Sequence, residues 1–239
     1  MIKICILETG EVDPVLIKTH GSYGFMFEKL FSKILGAVEF KFINLVKGDF
    51  PKKYSDADLW VITGSKFGIY DNLPWISELK SFLKKCFENR VPIFGVCFGH
   101  QLLAEALGGK VKKYHAGWGL GLHRYNLIKT TNWSAQLGNK IEGFAIHQDQ
   151  VLLPPKNSTV VANSNFCKNA ILAYGDPNNP SAISVQHHPE INKEYLVDLI
   201  NLRKGGSFPL DVSQRALNSL SHKFTNLNVS KILITQLIK

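Results

Sequence analysis

No apolar run of this 239-residue chain approaches the roughly 20 residues needed to cross a bilayer, so no membrane span is expected. The opening stretch, Met1 to Leu7, is too short for a signal h-region and has no small-residue cleavage site; it reads as a first buried strand. The four cysteines, Cys5, Cys86, Cys97 and Cys167, show no metal-ligand spacing. No metal site or cofactor is therefore expected, and reduced thiols in a cytoplasmic protein are. Also lacking are a Gly-rich phosphate loop of the Walker type, an internal repeat and any low-complexity segment. The formal charge of +9 comes without a long basic run: Lys52-Lys53, Lys84-Lys85 and Lys110, Lys112 and Lys113 are short clusters of a solvated surface. Nucleic acid is not an expected partner, whereas an anionic nucleotide or an acidic protein is compatible with the charge.

The chain does contain alternating strand and helix signals, the pattern of a doubly wound, mostly parallel sheet. Strands are expected over Ile2 to Leu7, Val38 to Ile43 and Leu59 to Ile62, and helices over Phe25 to Leu35 and from Pro74 to about Glu88. From about Lys110 to Val185, short strand and turn signals predict extra antiparallel strands at one edge. Gly205-Gly206-Ser207 reads as a joint, and Ser213 to Lys239 as one or two amphipathic helices. Packing onto the domain is their first expected role, a homodimer interface the second. Two units are thus expected, a domain over 1–202 and a helical extension over 203–239.

The most informative stretch is Gly95-Val96-Cys97-Phe98-Gly99-His100-Gln101. It follows the apolar run Val91 to Phe94 and opens the helical run Gln101 to Leu107, so Cys97 stands on a hinge between a buried strand and a helix. Glycines two residues to either side permit a sharp, strained turn, the device of the nucleophile elbow. The helix N-terminus favours thiolate, the attacking form. Cys5, Cys86 and Cys167 carry no supporting motif and read as packing residues. A base follows at Gln186-His187-His188-Pro189-Glu190, where a β-prone run ends. Strands of one parallel sheet end along a common edge, so Cys97 and His188 can meet there. Glu190 is placed to accept the other imidazole N–H, completing a nucleophile, base and orienter.

These two motifs together resemble the triad-type, class I glutamine amidotransferases. The likeness is strongest to stand-alone members related to the glutaminase domain of GMP synthase and to the plant-type gamma-glutamyl peptidases. Val61 to Asp71, Leu107 to Lys110, Gly117-Trp118-Gly119 and His147 to Val151 fit the same family, in order from about Ile4 to about Ile200. The resemblance implies a flavodoxin-like α/β fold with Cys97 as nucleophile, His188 as base and Glu190 as orienter. One oxyanion donor comes with the elbow, the amide of Phe98. The second belongs to the loop after strand Leu59 to Ile62, where the backbone of Ser65 or Gly64 can serve. For the substrate the resemblance implies Gln101 and Gly119, and it places His147 and Asp149 near the site mouth. His187 stands where the family is often aromatic, and His100 reads as helix scaffolding.

The expected chemistry is hydrolysis of the glutamine side-chain amide through a thioester, with ammonia passed in trans to a separate synthetase subunit. The chain lacks the Ser-Gly-Gly-x-Asp-Ser loop of the ATP-pyrophosphatase half of GMP synthase, so it cannot aminate a nucleotide alone. The alternative is a gamma-glutamyl hydrolase that needs no acceptor. A non-catalytic binding subunit comes third, because such a module has no use for Cys97, His188 and Glu190 in register.

Overall fold

The computed structural model describes residues 1–221, 224 and 227–238. Of the helical stretch expected over 213–239, residues 222, 223, 225, 226 and 239 lie outside the described residues. In chain order the strands are β1 (Ile2–Glu8), β2 (Val38–Asn44), β3 (Leu59–Ile62), β4 (Ile93–Val96), β5 (Lys110–Lys113) and β6 (Gly119–Leu127), then β7 (Lys140–His147), β8 (Asp149–Leu153), β9 (Ser158–Asn163), β10 (Ile171–Asp176) and β11 (Asn179–Val185). The helices are α1 (Pro14–His20), α2 (Tyr23–Leu35), α3 (Pro74–Glu88), α4 (Phe98–Ala106), α5 (Lys193–Arg203), α6 (Leu210–Ser219) and α7 (Leu227–Leu237).

Nine strands form one sheet in the order β2-β1-β3-β4-β11-β10-β9-β6-β7. The half from β2 to β11 is parallel, and the half from β11 to β7 is antiparallel. β5 and β8 pair separately. The expected α/β architecture with antiparallel edge strands and C-terminal helices is therefore present, and the short helix α1 is an addition to it. Among the described residues no helix is long and apolar enough to cross a membrane.

The residue pattern explains the layers. β3 and β4 are wholly buried, as central parallel strands with both faces covered must be. Along β1, Ile4 and Ile6 face one core with Phe27 and Phe31 of α2 and Leu233 and Ile234 of α7. Cys5 and Leu7 face the other core, with Leu79 and Leu83 of α3 and Leu102 and Leu103 of α4. This two-residue alternation divides the helices between the two faces. α2 starts where Ser22 Oγ accepts from the Phe25 amide, and α3 starts on Pro74, whose missing N–H costs nothing there. Cys5, Cys86 and Cys167 are buried within these cores. The parallel half aligns the C-terminal ends of β1, β3, β4 and β11 along one edge, where the candidate site lies.

Candidate active site

Cys97 sits between β4 and α4 at φ 52°, ψ −101°, and with Arg90 is one of two non-glycine residues with positive φ among the described residues. Such a conformation costs of order 1–3 kcal/mol and persists only where its surroundings enforce it. Three backbone bonds do so: Cys97 N–H to Val185 O (2.9 Å), Gly99 N–H to Thr63 O (3.2 Å) and Gln101 N–H to Cys97 O (3.1 Å). The flanking glycines answer to close approach as well as to the turn. A Cβ at Gly95 would lie 2.7 Å from Gly99 O, and one at Gly99 would lie 2.5 Å from Ile62 O.

His188 follows β11, its N–H bonded to Phe144 O at 2.8 Å. Its Nδ1 lies 2.7 Å from Glu190 Oε1, and the two side chains are 6% and 0% exposed. The Cys97 side chain interacts with His188 as well, and its Sγ lies 3.7 Å from Ile146 O. Burial works against the imidazolium, but the Glu190 carboxylate and Cys97 outweigh it and hold His188 well above the ordinary range. The neighbouring histidines behave oppositely. Burial pushes His100, His147 and His187 down to about 3, so each is neutral. His100 Nδ1 bonds Ser184 Oγ at 2.7 Å, and His187 stacks on Tyr125. Of the four, only His188 has a carboxylate partner.

The loop after β3 is clamped to the end of β1. The Thr9 hydroxyl lies 3.0 Å from Thr63 O and 3.2 Å from Gly64 O, and the Thr63 hydroxyl donates to Gly64 O at 3.0 Å. Ser65 Oγ donates to Thr9 O at 2.6 Å. Because the peptide is planar and trans, the Ser65 N–H points opposite to the Gly64 carbonyl, away from the two threonines. Gly64 itself lies against Cys97 and His188: a Cβ there would be 2.8 Å from His188 Cε1 and 3.7 Å from Cys97 Cβ.

A cleft of about 360 Å³ opens over Cys97, of a size usual for small-molecule sites. Cys97, Phe98, Gly64, Ser65, His188, Gln101, His147 and Asp149 all line it, and Glu190 stands behind His188. Gln101 Nε2 donates to Asp149 O at 2.9 Å, and His147 Nδ1 lies 3.2 Å from the same oxygen. Burial raises the Asp149 carboxyl, while the Tyr70 hydroxyl, donating to its Oδ1 at 3.0 Å, pulls it back. Gly119 lies one layer back, where a Cβ would meet Phe166 at 2.8 Å and His147 Nε2 at 2.9 Å. Its neighbour Trp118 lines the cleft and packs edge-on against Phe208. Thr9 bears on the site, and Tyr23, Tyr70 and Arg203 line it, without a signal of role in the sequence. Tyr70 lies in a segment that fits the family, but its partner Asp149 is far along the chain.

Residues 46–195 match the family model described as glutamine amidotransferase class-I. The chain is 32% identical to gamma-glutamyl peptidase 2 of Arabidopsis thaliana over 66% of its own length and 64% of the relative's, just under two thirds of that protein. It is 26% identical to a glutamine-hydrolyzing GMP synthase subunit of Sulfolobus acidocaldarius, over 71% of this chain and 86% of the relative. A crystal structure of a glutamine amidotransferase from Thermotoga maritima superposes with a TM-score of 0.75 at 20% identity, covering 99% of this chain and 96% of the other.

Proposed function

The chain belongs to the class-I glutamine amidotransferase family, and we propose that within it the protein hydrolyses gamma-glutamyl amide bonds through a thioester on Cys97, acting without a partner. The observation that carries the reading is the buried His188–Glu190 pair facing a cysteine held at φ 52°. Cys97 Sγ attacks the γ-carbonyl carbon, and the carbonyl oxygen takes the negative charge. The N–H groups of Phe98 and Ser65 receive that charge, each such donor being worth roughly 10²–10³ in rate. As the intermediate collapses, the C–N bond breaks and the His188 imidazolium gives its proton to the departing amine. Water then attacks the thioester, His188 takes its proton, and glutamate leaves with the thiolate restored. The Gln101 and Asp149 wall holds the amino-acid end of the glutamyl group. Independent action is supported by the clamp on the Gly64 carbonyl, which sets the Ser65 N–H by contacts within this chain.

A second reading is favoured by the similarity to the GMP synthase subunit of Sulfolobus acidocaldarius: a glutaminase passing ammonia to a separate synthetase subunit, which would have to supply all nucleotide chemistry. The assay that separates the two uses the purified chain alone on glutamine and on gamma-glutamyl-alanine. Partner-free release of alanine, lost in Cys97→Ser, is the expected result. Inertness toward the dipeptide, with glutamine cleaved only after a synthetase fraction is added, would establish the second reading instead.

A further inference from the structure

A second cavity, of about 740 Å³ and larger than the cleft, opens between α2, the start of α5, β6 and β7. Ile191 lines both, so the segment from His188 to Ile191 borders the two. Nothing in the proposed reaction uses this second space. Part of its wall is apolar. Met26 and Leu30 come from α2, and Phe144 and Phe224 meet edge-on with ring centres 5.0 Å apart.

The polar part of the wall carries mostly one sign of charge. Lys29 and Lys33 lie one turn apart on α2, and Lys193 is the first residue of α5. None of the three forms an ion pair among the described residues. Of the two lining carboxylates, Glu190 is committed to His188 at 2.7 Å, which leaves Glu194. Three ammonium groups against that one carboxylate give a surplus of two positive charges. Asn192, Lys193 and Glu194 also bring the N-terminus of α5 to the cavity. Asn192 Oδ1 accepts from the Tyr195 amide at 2.8 Å, and the amides of Lys193 and Glu194 have no acceptor within the helix. Such a terminus favours an anion.

His20 points to a ligand independently. Its side chain is only 7% exposed and lines the cavity. Asp198 Oδ2 lies 2.8 Å from its Nε2, while Nδ1 has no hydrogen-bond partner among the described residues. That nitrogen is left to whatever fills the space.

We propose that this cavity is a second ligand site, distinct from the cleft, for a phosphate monoester with an apolar body. The phosphate meets Lys29, Lys33, Lys193 and the first amides of α5, and the body lies on Met26, Leu30 and Phe144. A monoester carries about two negative charges at neutral pH and so balances the surplus, which a single carboxylate does not.

The test titrates 1-naphthyl phosphate into the purified full chain by calorimetry, beside 1-naphthoate, 1-naphthol and inorganic phosphate. The ester should bind at one site, at least about tenfold more tightly than each of the other three. Lys33→Glu and Lys193→Glu should each weaken it by about tenfold, because repulsion replaces attraction. Both side chains are exposed, so these changes spare the fold. Lys113→Glu, at the cleft, should leave the affinity unchanged. No binding of the ester, indifference to Lys33→Glu and Lys193→Glu, or a loss in Lys113→Glu instead would overturn the second site. Equally tight binding of 1-naphthoate, 1-naphthol or inorganic phosphate would overturn the ligand class.

Discussion

His188 Nδ1 lies 2.7 Å from Glu190 Oε1, with both side chains sealed from solvent. The carboxylate therefore both orients the ring and stabilises its cation. It also explains why His188 is held well above the ordinary imidazole range, against its burial, whereas His187, the preceding residue, is pushed down to about 3.

Glu190→Gln should keep the ring oriented through the amide oxygen but remove the charge that raises its pKa. The basic limb of kcat/KM against pH should move to lower pH, and kcat should fall. The limb needs the imidazolium as proton donor, so the sign follows directly: less cation stabilisation means loss of the donor at lower pH. An unchanged limb would show that Glu190 is not what holds the proton.

An electrophilic glutamine analogue should label Cys97 and spare the other thiols. Burial pushes Cys5 up to about 11 and Cys86 and Cys167 up to about 12, so none of these supplies thiolate at neutral pH. Mass spectrometry of the labelled peptides checks this, and even labelling of all four would remove the special status of Cys97.

The strain at Cys97 predicts a conflict between stability and activity. Cys97→Gly and Cys97→Ala should both be inactive, but the glycine variant should be the more stable by about 1 kcal/mol, because it lacks a Cβ at φ 52°. For a chain of this size that is a difference of roughly 2–4 °C in Tm. An alanine variant melting above the glycine variant would mean the turn carries no strain.

The Gly64–Ser65 peptide should be as sensitive as the triad. Gly64→Ala places a methyl 2.8 Å from His188 Cε1 and should lower kcat by at least about 100-fold with the fold intact. Thr9→Val removes a hydroxyl near Gly64 O while the Thr63 hydroxyl remains, so a smaller loss of about tenfold in kcat is expected, with KM little changed. Circular dichroism beside steady-state kinetics distinguishes this from unfolding.

How much of the site can be read from the chain depends on sequence distance. Cys97 is legible because the turn and the close approach of β3 impose Gly95 and Gly99 next to it. Glu190 is legible because it stands two residues from the histidine it pairs with. Thr9 is not, since its hydroxyl acts on Gly64, 55 positions away, and a lone threonine after a strand has many uses. The order of the antiparallel strands is hidden for a related reason. β9 pairs with β6 as well as with β10, and alternating residues do not specify which neighbour they will face. Arg203 is the first residue of the stretch that reads as the extension, yet it ends α5, and its carbonyl is held by the turn through Gly206 and Phe208.

Tyr70 and Asp149 join the loop after β3 to β8 beside the cleft, and this bond should govern binding rather than stability. The Tyr70 side chain is largely exposed, so Tyr70→Phe should change stability by no more than about 0.5 kcal/mol. Its hydroxyl, however, is the larger of two influences that oppose the effect of burial on the Asp149 carboxyl, the charge of Lys113 being the other. Without it the carboxyl should hold its proton to higher pH, and an uncharged Asp149 is a poorer partner for a substrate ammonium. The expected result is a raised KM, a kcat little altered, and an acidic limb of kcat/KM displaced to higher pH. Asp149→Asn should raise KM further and abolish that limb. A Tyr70→Phe variant whose loss lies in kcat, with KM unchanged, would instead assign the latch to holding the Gly64–Ser65 peptide in place.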